Sequence, residues 1–103
     1  MTLDLVRRFR TGAVAVHVLH HAAEGEVHGA WLTAELARHG HAVSPGTLYP
    51  LLHRLEADGL LEGRDEVAEG RVLRRYRATP AGRTALDELR RVVAELAAEV
   101  TPG

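Results

Sequence analysis

Apolar side chains recur every three or four residues along most of the chain, a period that predicts amphipathic helices. The first helix is expected over residues 3–22, with a break near Thr11-Gly12 and a stop at Glu24-Gly25. The second is expected from Gly29 to Arg38. The residues predicted to face inward from these two helices are Leu5, Val6, Phe9, Ala13, Val16, Leu19, Trp31, Leu32, Leu36 and Ala37.

A third helix is predicted to begin at Ser44, whose side chain can accept a backbone hydrogen bond as the N-cap, followed by Pro45 at the first helical position. Asp58-Gly59 ends it. Pro50 lies within this helix and removes a hydrogen bond to Gly46, so a bent or loosened first turn is expected. The predicted buried face consists of Leu48, Leu51, Leu52 and Leu55.

After Leu60 the period of the apolar positions changes to two residues. This predicts strands over Leu60–Val67 and Arg71–Thr79 around a turn at Glu69-Gly70. Tyr76 is expected to share one face of the second strand with Val72 and Ala78. Because Arg74 has the same parity, it is expected on that face too.

A fourth helix is predicted after Thr79-Pro80, with Gly82 in its first turn. Its apolar stripe comprises Leu86, Leu89, Val92, Val93, Leu96 and Val100. The expected fold is therefore mainly α with a small β-hairpin, an order that describes a winged helix-turn-helix followed by a C-terminal dimerisation helix. With 103 residues we expect one domain, with a head at about 24–79 and dimerisation helices at about 3–22 and 80–100.

The amino-acid composition excludes several classes of protein. The chain has no cysteine, which excludes disulfides and thiol catalysis and fits a cytoplasmic protein. Neither a membrane span nor a signal peptide is predicted. No paired carboxylates, nucleophile–base set or phosphate-cradling loop can be assembled, so we predict neither an enzyme nor a cofactor.

Charge is balanced overall but uneven along the chain. Thirteen basic and 14 acidic residues give a net charge of −1, which argues mildly against a nucleic-acid binder. Residues 71–77, however, contain four arginines and no acid. All the basic residues are arginine, which indicates a GC-rich and bacterial genome.

Three segments resemble the PadR family of transcriptional regulators, in the same order: HGAWLTAEL, VSPGTLYPLLHRLEADGLLE and RRYRATPAGR. The resemblance extends from about Leu3 to Val100, and the single C-terminal helix is similar to the smaller branch of the family. It implies a dimeric regulator of double-stranded DNA, usually a repressor, whose first and last helices pack across the two-fold axis. It also implies a small-molecule effector that enters between the subunits.

The surface expected to meet DNA combines the third helix and the hairpin. Hydroxyl groups near a helix N-terminus can hold phosphates, and an arginine can bind a guanine edge with two hydrogen bonds. Two alternatives remain open: Tyr49 could pack against the wing or a partner subunit, and the arginines could be a solvated strand edge. The predicted DNA-binding residues are Ser44, Thr47, Tyr49, Pro50, His53, Arg54, Arg71, Arg74, Arg75 and Arg77.

A dimer is expected because the first and last helices present more apolar surface than the head and wing can cover. Two recognition helices would then lie about 34 Å apart, on a roughly palindromic operator. An alternative is a winged-helix interaction module that dimerises without tight DNA binding. The predicted interface residues are Leu5, Phe9, Leu86, Leu89, Val93, Leu96 and Val100.

Two further groups of residues remain. Phe9 and Trp31 are the only aromatic candidates for contact with an effector, and core or interface packing is the preferred explanation for both. His17 and His21 have the i, i+4 spacing of zinc ligands, but no carboxylate or cysteine in their predicted helix completes a site. Because folding or a partner would have to supply the missing ligand, we predict no metal site.

Overall fold

The computed structural model describes residues 2–103, and it confirms a mainly helical fold with one antiparallel hairpin. The elements in chain order are α1 Thr2–Glu24, α2 Gly29–Arg38, α3 Pro45–Ala57, β1 Leu61–Ala68, β2 Arg71–Ala78 and α4 Pro80–Val100. None of the helices within residues 2–103 is long and apolar enough to cross a bilayer.

Helix α1 runs without interruption through Thr11 and Gly12, so the predicted break is wrong. A single helical glycine costs only about 1 kcal/mol, and the next turns of α1 are anchored in the core through Val14 and Val18. Leu5 and Phe9 were expected to face inward but are 68% and 65% exposed, because the N-terminal half of α1 extends past the head.

Helices α2 and α3 form the helix-turn-helix. His28 caps α2 by accepting a hydrogen bond from the Trp31 backbone N–H, and Leu32 and Leu36 are buried as predicted. Trp31 and Ala37 are exposed instead, because they flank the buried stripe of α2, about 100° around the axis from the nearer leucine.

Helix α3 begins as predicted, but Ser44 occupies the N-cap position without a side-chain cap bond. Its hydroxyl donates to the Thr47 hydroxyl at 3.3 Å instead. The helix continues through Pro50, and in its first turn the Leu48 N–H donates to the Ser44 carbonyl at 3.0 Å. The predicted bend stays a prediction. Its leucines Leu48, Leu52 and Leu55 are buried and fix the orientation of the helix.

The hairpin packs against the head through its second strand. Glu69 and Gly70 both have positive φ angles, 53° and 75°, as a tight two-residue turn between right-twisted strands requires. Tyr76 is buried, and its backbone exchanges two hydrogen bonds with Val27, at 2.8 and 2.9 Å. Val72, predicted on the same face as Tyr76, is exposed because the tip of the hairpin extends beyond the head.

Helix α4 is joined firmly to the head at its first turn. The Thr79 hydroxyl donates to the Gly59 carbonyl at 2.6 Å and accepts from the Gly82 N–H at 3.0 Å, as a capping threonine does. Leu86 is buried in the core, and most of the helix beyond it is exposed. The core thus lies at the junction of all four helices and the hairpin, while the outer halves of α1 and α4 remain uncovered.

Candidate DNA-binding surface

The exposed face of α3 is fixed by the leucines on its other side. Because the buried leucines recur every three or four positions, the residues between them point away from the core. The sequence-predicted residues on this face are all exposed: Ser44, Thr47, Tyr49, Pro50, His53 and Arg54. The face is therefore accessible to a ligand as large as double-stranded DNA.

Tyr49 has a packing partner within the same protomer. A β-carbon placed on Gly29 would lie 2.4 Å from the Tyr49 hydroxyl oxygen, so the phenol ring rests on the first residue of α2. Tyr49 is still 42% exposed. Its ring thus joins the two helices of the helix-turn-helix.

The basic residues on this surface differ in what they contact. Arg54 on α3 and Arg71 at the start of β2 form no ion pair within residues 2–103. The remaining three predicted arginines, Arg74, Arg75 and Arg77, are all paired with acidic side chains. Of these five predicted arginines, Arg54 and Arg71 are therefore the two that could bind DNA without first breaking an ion pair to a carboxylate.

The paired arginines form a ladder along the hairpin. Arg74 binds Asp65 at 2.9 Å, and Arg77 binds Glu62 at 3.0 Å, each directly across the strand pair. Arg75 pairs diagonally with Glu66. Because these carboxylates neutralise the wing, a phosphate that approaches has to displace them, which weakens the electrostatic attraction.

Arg74 also ties the wing to α3, a contact that the sequence analysis did not predict. Its guanidinium donates to Glu56 at 2.6 Å and lies 5.8 Å from the centre of the Tyr76 ring. The hydrogen bonds to Glu56 and Asp65 raise the pKa of Arg74. Burial and the nearby charge of Glu56 raise the pKa of Tyr76, so this phenol stays neutral beneath the ion pair.

A second unpredicted ion pair holds the base of the hairpin. Arg64 on β1 donates to both carboxylate oxygens of Glu26, at 2.7 and 2.6 Å. This bidentate hydrogen bonding lowers the pKa of Glu26 and raises that of Arg64. The wing is thus anchored to the chain before α2 as well as to α3.

An apolar groove of about 590 Å³ lies between α1 and α4. It is lined by Phe9, Val93 and Leu96, among the residues predicted for a dimer interface, together with Leu86 and Leu89. Leu86 is buried in the protomer core, so its prediction as an interface residue is corrected. The outer members of the set, Leu5 and Val100, are exposed.

The two aromatic residues considered for an effector are not brought together. Phe9 lines the groove between α1 and α4. Trp31 lines a different cavity of about 340 Å³, with His21, Val27 and Arg75 around it. One small ligand therefore cannot contact both side chains within a protomer.

Comparisons with known proteins agree with this architecture. Residues 18–88 match the transcriptional regulator PadR-like family. The chain is 65% identical to the transcriptional regulator Rv3488 of Mycobacterium tuberculosis, over 95% of this chain and 92% of that protein. It is also similar to a PadR family transcriptional regulator from Eggerthella lenta, with 31% identity, a TM-score of 0.84 and coverage of 96% and 88%. A PadR-like transcription factor from Bacteroides fragilis gives 28% identity and a TM-score of 0.80, over 94% and 95% of the two chains.

Proposed function

The chain belongs to the PadR-like family of transcriptional regulators, which act by binding DNA and are not enzymes, and from this premise we propose that it is a homodimeric repressor. We propose one domain, with a head at about 24–79 that binds DNA and helices at about 3–22 and 80–100 that dimerise. As a regulator it works where the chromosome is accessible, in the bacterial cytoplasm.

The observation that carries the DNA-binding assignment is the exposed face of α3. Its residues are held outward by buried leucines, and the unpaired Arg54 is the side chain best suited to a base edge. Ser44 and Thr47 lie at the positive end of the helix dipole, where their hydroxyls and the backbone N–H groups favour phosphate. We propose that Arg71 and the paired Arg74, Arg75 and Arg77 contact the DNA backbone.

Dimerisation is supported by the groove between α1 and α4. Val93 is 52% exposed beside Phe9, and a soluble protein gains free energy by covering an apolar surface of this extent. We propose that the same faces of α1 and α4 from a second protomer cover it. A small apolar effector that entered this groove at Phe9 would change the packing of the dimer and release the operator.

The test is binding to a palindromic DNA library over a series of salt concentrations. Replacing Arg54 with alanine should lower the affinity for the selected operator at least about tenfold and relax the base preference, since the two hydrogen bonds to guanine can no longer form. In the double variant Arg75→Ala/Arg77→Ala the slope of log affinity against log salt should become shallower by about 0.9 for each phosphate that is no longer neutralised.

Arg91→Ala is the matched control, because it removes an exposed arginine from α4 rather than from α3 or the wing. It should bind the operator like the unmodified protein. The alternative function, an interaction module without tight DNA binding, is favoured by the neutralised wing. A complete lack of a DNA complex at low salt would support that alternative and reject the repressor.

A further inference from the structure

Five of the seven histidines gather where α1 meets α2 and the loop that follows it. The ring centre of His17 lies 4.8 Å from that of His41 and 5.5 Å from that of His39. His20 and His21 are neighbours on α1, with ring centres 4.9 Å apart. This group lies outside the predicted DNA-binding residues, and two of its members, His17 and His20, also line the groove between α1 and α4.

A carboxylate lies at the centre of this cluster. The side chain of Glu35, from α2, is only 13% exposed. Its Oε2 atom is 3.7 Å from Nε2 of His21 and 3.3 Å from Nε2 of His39. Arg38 pairs with the other carboxylate oxygen, Oε1, at 2.7 Å, so Oε2 faces the two imidazoles with no cation of its own among residues 2–103.

We propose that His21, Glu35 and His39 bind a divalent transition-metal cation of the zinc type. Their three ligand atoms lie within 4.8 Å of one another. A tetrahedral ion with bonds of about 2.0–2.2 Å needs ligand atoms roughly 3.3–3.6 Å apart. The two distances to Glu35 are already close to this range, so small side-chain rotations complete the site.

The surrounding residues orient these ligands as outer-shell groups do in metal proteins. Oε1 of Glu24 lies 3.7 Å from Nδ1 of His21, and a small rotation would let it accept a hydrogen bond from an Nδ1–H group. The lone pair of Nε2 is then directed at the site. Arg38 donates to Oε1 of Glu35 at 2.7 Å, so the other carboxylate oxygen is available to a metal. Glu24 and Arg38 are therefore positioning residues rather than ligands.

The donor set also selects the class of metal. Two imidazoles and one carboxylate suit zinc, cobalt, nickel or copper, whereas calcium and magnesium prefer oxygen alone. The neighbouring His17 or a solvent molecule can complete the coordination. No carboxylate within the predicted first helix completes a site, but folding supplies Glu35 from α2. A bound cation therefore cross-links α1 to the first helix of the helix-turn-helix.

The experiment uses the full chain without a histidine tag, stripped of metal and titrated with Zn²⁺ and with Co²⁺. Calorimetry should show one saturable site per protomer, and Co²⁺ should give the visible absorption of a low-coordinate complex. Glu35→Gln keeps the size of the side chain and should weaken binding at least about 100-fold, since it removes a ligand rather than an outer-shell group. Glu24→Gln should weaken it about tenfold.

His20→Gln is the matched control, because His20 lies beside the three ligands on α1 but is not one of them. It should bind Zn²⁺ like the unmodified protein. Loss of binding in His20→Gln with retention in Glu35→Gln would place the ion at the neighbouring set His20, His21 and Glu24 and overturn the proposal. The proposal is also rejected if the unmodified protein shows no saturable site. Circular dichroism in EDTA verifies that each variant is folded.

Discussion

Replacing Val93 with glutamate is expected to convert the protein into a monomer and lower its affinity for a palindromic operator by about 10²–10⁴-fold. Val93 lines the apolar groove between α1 and α4, so a partner subunit would bury the new carboxylate against apolar side chains. The two arginines that also line the groove, Arg8 and Arg90, already contact Asp4 and Asp87. The loss of affinity follows because two linked half-site contacts become independent events. Sedimentation at micromolar concentration and a mobility shift with the operator measure the two effects.

Ala98→Glu is the control for the added charge, because it places the same side chain on the same helix about 140° around the axis from Val93. It should remain a dimer and bind DNA normally. If Val93→Glu also sediments as a dimer, the groove is not the interface and the proposed dimer packing is wrong. If the unmodified chain is already a monomer, dimerisation itself is excluded.

Replacing Gly82 with alanine is expected to lower the free energy of unfolding by about 3 kcal/mol. A β-carbon at this position would lie 2.0 Å from the backbone oxygen of Leu60. No side-chain rotation relieves a clash with backbone, so either the start of α4 or the turn between α3 and β1 has to move. Urea unfolding followed by circular dichroism measures the difference.

Gly46→Ala is the natural comparison, because Gly46 also follows a proline in the first turn of a helix. The nearest atom to its added β-carbon is the Ser44 hydroxyl oxygen at 3.7 Å, an ordinary contact. The free energy of unfolding should stay unchanged or rise by up to about 1 kcal/mol. An equal change of stability in both variants would show that the contact of Gly82 with Leu60 does not determine the result.

Helix positions were the most predictable part of the fold. The bounds of α2 were predicted correctly, because Gly29 and Arg38 lie between clear cap and stop residues. Burial along α1 was predicted less well, since periodicity identifies an apolar face without saying which partner covers it. Phe9 and Val14 are both apolar, but only Val14 reaches the core of its own protomer.

The candidate DNA-binding surface was also predictable only in part. Exposure of Thr47 and Arg54 follows from the leucine spacing on α3, and the structure bears it out. The pairing of Asp65 with Arg74 could have been predicted too, because a two-residue turn at Glu69-Gly70 sets these positions opposite each other. The contact of Arg74 with Glu56 could not, because it depends on how the hairpin lies against α3.

The hydrogen bonds of Thr79 at the start of α4 couple the head to this helix, so that the two move as one rigid body. Thr79 is bonded to both Gly59 and Gly82, so rotation of α4 carries the reading head with it. The helix is 21 residues long, about 31 Å, and a rotation of ~10° about its far end displaces the head by ~5 Å. That distance exceeds the ~3.4 Å rise of one base pair. In the proposed dimer, a slight change of angle at the two-fold axis would therefore put the two heads out of phase with the helical repeat of the operator.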